Sequence, residues 1–370
     1  MTTLFKEYEY FNHRFPEPQY LGAKNTHLNW ISKFIPKNIS VALDAFSGSQ
    51  SVSFFFKQLG FKTITNDFLN FNNKIGKALI ENNSQKLNEN DLKILFQNSS
   101  NKDMFNLIET IFTGIFFEQN TAEFLDNFRA NIPLLENEYK QALAFAIINR
   151  SITRKITMGH FAHTQALNYA NSKERIKRNK SLIKPVKDLF LELLPAYNNA
   201  IFNNKQRNCS FNENILELLP KLSGQIDLIY IDPPYCNSHA DYQSFYHLLE
   251  TYTEYWKNKQ FINGIKRYEP QKFSGFDKKK DVVYSFEKLF ELSENIPHWL
   301  ISYNNRSYPK IDEFKKIISK FRDVEIESKV YAYGRGGKGS VAGSKEILFV
   351  CKPKKIFSIN LNYRQLSEIV

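Results

Sequence analysis

Gln225-Ile226-Asp227-Leu228-Ile229-Tyr230-Ile231-Asp232-Pro233-Pro234-Tyr235 is the stretch on which the fold turns. Its nearly continuous apolar run ends at Ile231, as expected of a parallel strand buried on both faces. Pro233 and Pro234 carry no N–H, so neither can extend a strand ladder, and both fix φ. They also push the residues before them toward extended geometry. The result is a stiff turn at the carboxyl end of a parallel strand, where open α/β sheets hold their ligands. Such a turn can aim the Asp232 carboxylate, the Pro233 carbonyl and the Tyr235 ring at one point. Two acceptors and a flat π-face suit a planar aromatic amine: the acceptors take its N–H groups while the ring stacks on the heterocycle. An amine of this kind is a poor nucleophile, because its lone pair is delocalised. Fixed acceptors favour the charge that develops on nitrogen as it attacks. A plain strand-ending turn with an Asp cap satisfies the same residues.

Upstream, residues 40–67 read as strand, tight loop, helix and second strand. SVALDAF is apolar, SGSQS is small and polar, SVSFFFKQLG closes at Gly60, and KTITND is β-branched. In Asp44-Ala45-Phe46-Ser47-Gly48-Ser49 the small residues let backbone approach a ligand, with a helix N-terminus behind them. Asp67 lies nineteen residues after Gly48, at a second strand end, where a carboxylate commonly meets ribose hydroxyls. That loop carries no G-x-G-x-x-G or Walker pattern. Downstream, WLISYN at 299–304 reads as another buried strand. KVYAY at 329–333 and EILFVCK at 346–352 read as a hairpin, with a loop between them holding five of the chain's 14 glycines.

Residues 74–150 place apolar side chains at helical spacing. Residues 150–187 then hold ten Lys/Arg against one acidic residue, Glu174, in a chain whose whole net charge is +12. These observations predict one α/β domain with a mostly parallel sheet and a C-terminal hairpin, interrupted by a helical, basic insertion. The expected division is 1–90 and 206–356 for the sheet domain, 91–205 for the insertion and 357–370 for a tail.

The 370 residues are 42% hydrophobic and 24% charged, which excludes a mainly disordered chain. No apolar run approaches the roughly 18 residues of a membrane span, and the first residues lack signal-peptide order. Three cysteines without metal-like spacing argue against a disulfide framework or structural zinc, so no metal is expected and a reducing cytoplasm fits. Lysine supplies 38 of the 50 basic residues, alongside much Phe, Tyr, Ile and Asn. AT-rich coding explains part of that charge as well as a polyanion partner does.

Taken together these motifs resemble an adenine-specific DNA methyltransferase of the Dam-like group found in restriction–modification systems. Tyr20-Leu21-Gly22-Ala23-Lys24 resembles the N-terminal cofactor motif. Phe46-Ser47-Gly48-Ser49 resembles the S-adenosylmethionine loop, with Gln50 in place of the usual second glycine. Asn66-Asp67 resembles the acidic motif, Asp232 to Tyr235 the catalytic tetrapeptide, and Tyr246-His247-Leu248-Leu249-Glu250-Thr251 the helix that follows it. Asn208-Cys209-Ser210-Phe211 is similar to a further motif, in which relatives often carry an acidic residue before the aromatic.

The resemblance implies a Rossmann-like S-adenosylmethionine-dependent fold and methylation of a flipped-out adenine in double-stranded DNA. It gives catalysis to Asp232, Pro233, Pro234 and Tyr235. It gives the cofactor Tyr20, Gly22, Lys24, Asp44, Phe46, Ser47, Gly48, Ser49, Asp67, Ser210, Phe211 and Asp232. The basic insertion becomes the target-recognition region, with Arg150, Arg154, Lys155, Arg175, Lys177, Arg178 and Lys180 as phosphate contacts. His160, His163 and Gln165 are candidate base readers, and Arg335, Lys338 and Lys345 candidate clamps. A cognate endonuclease would share the target without binding directly. Methylation of the cytosine amine, methylation of structured RNA, and a non-catalytic DNA-binding module of the same fold stay open at this point.

Overall fold

The computed structural model describes residues 10–99, 101, 103–156, 161–222, 224–234, 236, 241–256, 258–262, 264–269, 273–330 and 345–354. Its centre is a seven-stranded sheet. The strands are β1 (Val41–Asp44), β2 (Lys62–Asn66), β3 (Cys209–Phe211), β4 (Leu228–Ile231), β7 (His298–Asn304), β8 (Arg322–Val330) and β9 (Lys345–Pro353), in the order β3-β2-β1-β4-β7-β9-β8. A separate antiparallel ribbon pairs β5 (Phe261–Ile262) with β6 (Arg267–Tyr268). The first five strands of the sheet run parallel, and β9 lies antiparallel between β7 and β8. The expected mixed α/β fold with a mostly parallel sheet is the observed one.

Two-residue alternation sorts the strand side chains onto two faces. Leu43, Ile229, Ile301 and Phe349 join one core, with Phe286, Leu289 and Phe290 of helix Val282–Leu292 and Phe314 of helix Ile311–Ser319. Ala42, Leu228, Tyr230, Leu300 and Leu348 join the other, with Val52, Phe55 and Phe56 of helix Ser51–Gln58. Because helices cover both faces, β4 is buried at every residue. A third core gathers the helices Gln119–Asn131, Glu138–Arg154 and Val186–Asn199. It continues through Phe54, Leu69 and Phe71 to Leu248, Leu249 and Tyr252 of helix His247–Glu254.

The hairpin is longer than the sequence reading. β8 begins at Arg322, and Val330 pairs with Lys345. Its first residues, Arg-Asp-Val-Glu-Ile-Glu, carry too much charge for a buried strand. They are tolerated because β8 is an edge strand on which Asp323 and Glu325 are exposed, while the buried Arg322 donates to the carbonyls of Glu294 and Ile296. Residues 331–344 lie outside the described residues.

The topology fixes the position of the site. β1 has β2 on one side and β4 on the other, so the strand order reverses there and a crevice opens beyond the carboxyl ends. Asp44 closes β1 opposite Tyr230, and Asp232 follows the last residue of β4, so both carboxyls reach that edge.

Candidate active site

The loop after β1 is held by its own backbone and by one unusual side chain. Ser47 N donates to Asn66 O (2.9 Å) and Gln50 N to Ser47 O (2.7 Å). Gly48 has φ +45°, and a Cβ there would come within 2.9 Å of the Tyr20 ring. Gln50 adopts φ +68°, a left-handed conformation that normally favours glycine. Its side chain is fully buried. Nε2 donates to Ser47 Oγ (2.7 Å) and Asn72 O (3.2 Å), and Oε1 accepts from Thr65 Oγ1 (2.7 Å). Gln50 therefore locks the loop to β2 and to helix Asn70–Gly76.

Tyr20 forms one wall. Its ring stacks on Tyr246 at 4.8 Å and 6°, and on Tyr242 at 5.7 Å and 25°. Asn72 Nδ2 donates to its hydroxyl (3.1 Å). Burial, reinforced by the Asp67 charge, pushes this phenol well above the usual tyrosine range, so it stays neutral. Leu21 N donates to Tyr246 Oη (2.8 Å), and Tyr242 Oη donates to Leu21 O (3.2 Å). The 20–24 motif thus rests on the helices that follow the proline turn.

Five ionisable groups lie close together beside that wall. Lys24, only 4% exposed, places Nζ 2.8 Å from Asp232 Oδ2, 3.3 Å from Glu346 Oε1 and 3.0 Å from Gly22 O. Asp44 is 1% exposed. Its Oδ2 accepts from Ser53 Oγ (2.6 Å), while its buried Oδ1 has no hydrogen-bond partner among the described residues. Burial pushes the Asp44 carboxyl up to about 7; the Ser53 bond opposes the rise, and the Asp232 and Asp67 charges add to it. Asp67 accepts from Gly48 N (2.7 Å), Leu69 N (2.8 Å) and Asn72 Nδ2 (3.0 Å), so it braces the loop as well as facing the crevice.

An open cleft is lined by Lys24, Asp44, Asp67 and Asp232 from this group. Tyr20, Gly22, Lys24, Asp44, Phe46, Ser47, Gly48, Ser49, Asp67, Asp232, Pro233 and Pro234 all line it. Ser210 and Phe211, expected beside them, do not. Ser210 is turned to helix Asn70–Gly76, where Asn73 Nδ2 donates to its Oγ (3.0 Å), and Phe211 packs against the sheet core. The wall there is the next turn, Glu213, Asn214 and Ile215. Sequence reading also missed Ser274, Phe276 and Asp277 on the far wall, where Phe276 meets Phe46 edge-on at 5.0 Å and 80°. Tyr235 lies outside the described residues. Among the described residues no cluster of His, Cys, Asp or Glu could hold a metal ion.

The basic candidates divide. Arg150 donates through Nε to Glu17 O (3.1 Å) and through Nη1 to Gln19 Oε1 (2.7 Å), bracing the segment that leads to Tyr20. Arg154 bonds Ser181 Oγ (2.9 Å) and pairs with Glu192 (3.2 Å). Lys155 donates to the carbonyls of Leu182 and Lys184 (both 2.8 Å). All three thus bond to groups of this chain, and Arg154 and Lys155 tie the end of helix Glu138–Arg154 to the 181–192 segment. Lys177, Arg178 and Lys180 are exposed, and Arg175 lies 4.7 Å over the Tyr169 ring. His163 is half-buried and meets Tyr169 edge-on at 6.1 Å; Gln165 is exposed and accepts from Asn168 Nδ2 (3.1 Å). Lys345 is exposed at the start of β9. His160, Arg335 and Lys338 lie outside the described residues. Helix His247–Glu254 ties this segment to the proline turn: His247 Nε2 lies 2.9 Å from Phe161 O, and its ring is pushed down to about 4 by burial. Among the described residues no helix is long and apolar enough to cross a membrane.

The chain is 33% identical over 350 residues to the type II methyltransferase M2.HphI of Haemophilus parahaemolyticus, covering 92% of this chain and 98% of that one. It is 27% identical over 346 residues to the modification methylase LlaI of Lactococcus lactis subsp. lactis, covering 88% of this chain and 53% of that one. It is 28% identical over 320 residues to the type II methyltransferase M.FokI of Planomicrobium okeanokoites, covering 81% of this chain and 46% of that one. It therefore spans nearly all of the first relative and about half of each of the other two. The family described as D12 class N6 adenine-specific DNA methyltransferase matches residues 20–331, which take in the tyrosine wall, the loop after β1, the helical segment and the proline turn. On that match, and on the cleft those motifs build, this chain belongs to the D12 class of N6 adenine-specific DNA methyltransferases.

Proposed function

We propose that this methyltransferase uses S-adenosylmethionine to methylate the exocyclic amine of a flipped-out adenine in duplex DNA, as the modification enzyme of a restriction–modification system. The observation that carries the reading is the convergence of Asp232, Lys24 and Asp44 in one cleft at the strand-order reversal. The donor set fits the cofactor's own charges. S-adenosylmethionine carries an ammonium and a sulfonium, which call for acceptors. The buried Asp44 Oδ1, without a hydrogen-bond partner among the described residues, is such an acceptor on the cleft wall, and Lys24 pairs with Asp232 beside it. Tyr20, Gly22, Phe46, Ser47, Gly48 and Ser49 would enclose the group, with Asp67, Asn214 and Ile215 around its nucleoside end. Bound there, it supplies an electrophilic methyl group.

The rest of the chemistry belongs to this chain. Asp232 and the Pro233 carbonyl accept the two N–H groups of the target amine and hold its lone pair toward the methyl donor. Tyr235 stacks on the base. Extrusion of the adenine costs about a few kcal/mol in pairing and stacking, so protein–phosphate contacts must hold the opened duplex. Arg175, Lys177, Arg178 and Lys180 are the proposed phosphate ligands, with Lys345 on the hairpin side. His163 and Gln165 are the proposed readers in a target-recognition region spanning 91–205. A partner endonuclease would recognise the same DNA sequence independently.

Incubation with methyl-labelled S-adenosylmethionine and duplex DNA, then nucleoside analysis, tests the reading. Label in N6-methyladenine is the expected result. Label on a cytosine amine, or DNA binding with no label transferred, would overturn it.

A further inference from the structure

β9 runs against its neighbours, so its first residues arrive at the edge where the parallel strands end. Glu346 lies there opposite Asn304, the last residue of β7. It is 2% exposed, and its Oε1 accepts from Ser302 Oγ (2.6 Å) and lies 3.3 Å from Lys24 Nζ. A carboxylate this deep is costly without a compensating charge, and here the compensating ammonium is the one that touches Asp232. Lys24 is thus gripped by Gly22 O on its own loop, by Asp232 after β4 and by Glu346 on β9, three elements far apart in sequence.

We propose that Glu346 is a positioning residue for methyl transfer, holding Lys24 so that its ammonium orients Asp232 without monopolising it. The proposal rests on the assignment of Asp232 as the acceptor for the target amine. With one carboxylate alone, a buried ammonium closes into a tight pair and consumes acceptor capacity that the substrate needs. A second, fixed carboxylate shares the cation. It anchors Lys24 from β9 and leaves Asp232 oriented and able to accept. Ser302 fixes Glu346 in turn. Glu346 reaches Asp232 through Lys24 and does not line the cleft, so it governs the rate of the chemical step more than the affinity for the methyl donor.

The test is single-turnover kinetics of Glu346→Gln with saturating S-adenosylmethionine and cognate duplex, beside the KM for the cofactor. Gln keeps the size and the Ser302 bond and removes the charge. The expected result is a single-turnover rate constant about 10- to 100-fold lower, the loss typical of a misplaced reacting group, with KM for the cofactor changed less than about threefold. Ser302→Ala serves where Glu346→Gln does not fold; it should lower that rate constant several-fold with the same KM. A rate constant within twofold of wild type for the folded variant, or a loss confined to KM or to thermal stability, overturns the proposal. The wild-type control separates the two ideas, since absence of N6-methyladenine there counts against the proposed function and not against Glu346 alone.

Discussion

Replacing Gln50 by Gly and by Ala separates two opposed effects in the loop after β1. A non-glycine residue at φ +68° costs about 1 kcal/mol, and Gln50→Gly would remove that strain. The same change deletes three buried hydrogen bonds, to Ser47, Asn72 and Thr65. At about 1 kcal/mol each, with a larger penalty where a buried partner such as Thr65 Oγ1 is left without its acceptor, their loss outweighs the relief. Gln50→Gly should therefore destabilise the protein by about 2 kcal/mol. Gln50→Ala keeps the strain and loses the same bonds, so it should cost about 3 kcal/mol. Urea unfolding gives both values directly. The same variants should weaken cofactor binding measured by calorimetry, because the loop that lines the cleft loses its tie to β2. A Gly variant as stable as wild type, or an Ala variant more stable than the Gly one, would refute the claim that this side chain holds the loop.

Three other outcomes follow from individual side chains. Asp44 is neutral in the folded protein up to about pH 7 but ionises near its ordinary value when unfolded. The folded state therefore binds the extra proton between about pH 4 and 7, and stability falls with rising pH across that window by up to about 1.4 kcal/mol per unit. Asp44→Asn removes this dependence, so its melting temperature relative to wild type should climb from pH 4 to 7 and level off above; a constant difference would contradict the buried-acid assignment. Lys155→Met breaks two bonds to the Leu182 and Lys184 carbonyls and should cost about 1–3 kcal/mol of stability while changing DNA affinity little. The triple change Lys177, Arg178 and Lys180 to Ala should leave stability unchanged and flatten the salt dependence of DNA binding by up to about three phosphate contacts; filter binding across salt concentrations measures it.

Much of this architecture is legible in the sequence, because its signals are local. The apolar run before Asp232, the two prolines and the small residues after Asp44 each encode geometry within a few positions, and the strand ends they mark do meet. The pairing of Lys24 with Asp232 and Glu346 is not legible in that way. It joins three segments far apart along the chain, and no periodicity marks it. Gln50 reads as a departure from a glycine pattern, yet its side chain replaces with hydrogen bonds the fit that a glycine would give by absence. The basic segment is only partly legible for a related reason. Charge counted along a chain does not say which partner a side chain takes, and Arg150, Arg154 and Lys155 are half-buried and bond to groups of this chain. Motif likeness puts Phe211 beside the cofactor; in the structure it is half-buried against the sheet core, and the cleft is lined by the next turn, Asn214 and Ile215.

The central claim is that Asp232 does the chemistry at the amine and does not hold the DNA. Its most direct measurement pairs methyl transfer with DNA affinity in Asp232→Ala, using the same duplex for both. The account predicts a loss of transfer of at least about a thousandfold, the scale set by removing a preorganised electrostatic partner, with DNA affinity changed less than about threefold. Transfer within tenfold of wild type, or affinity that collapses together with transfer, would contradict it.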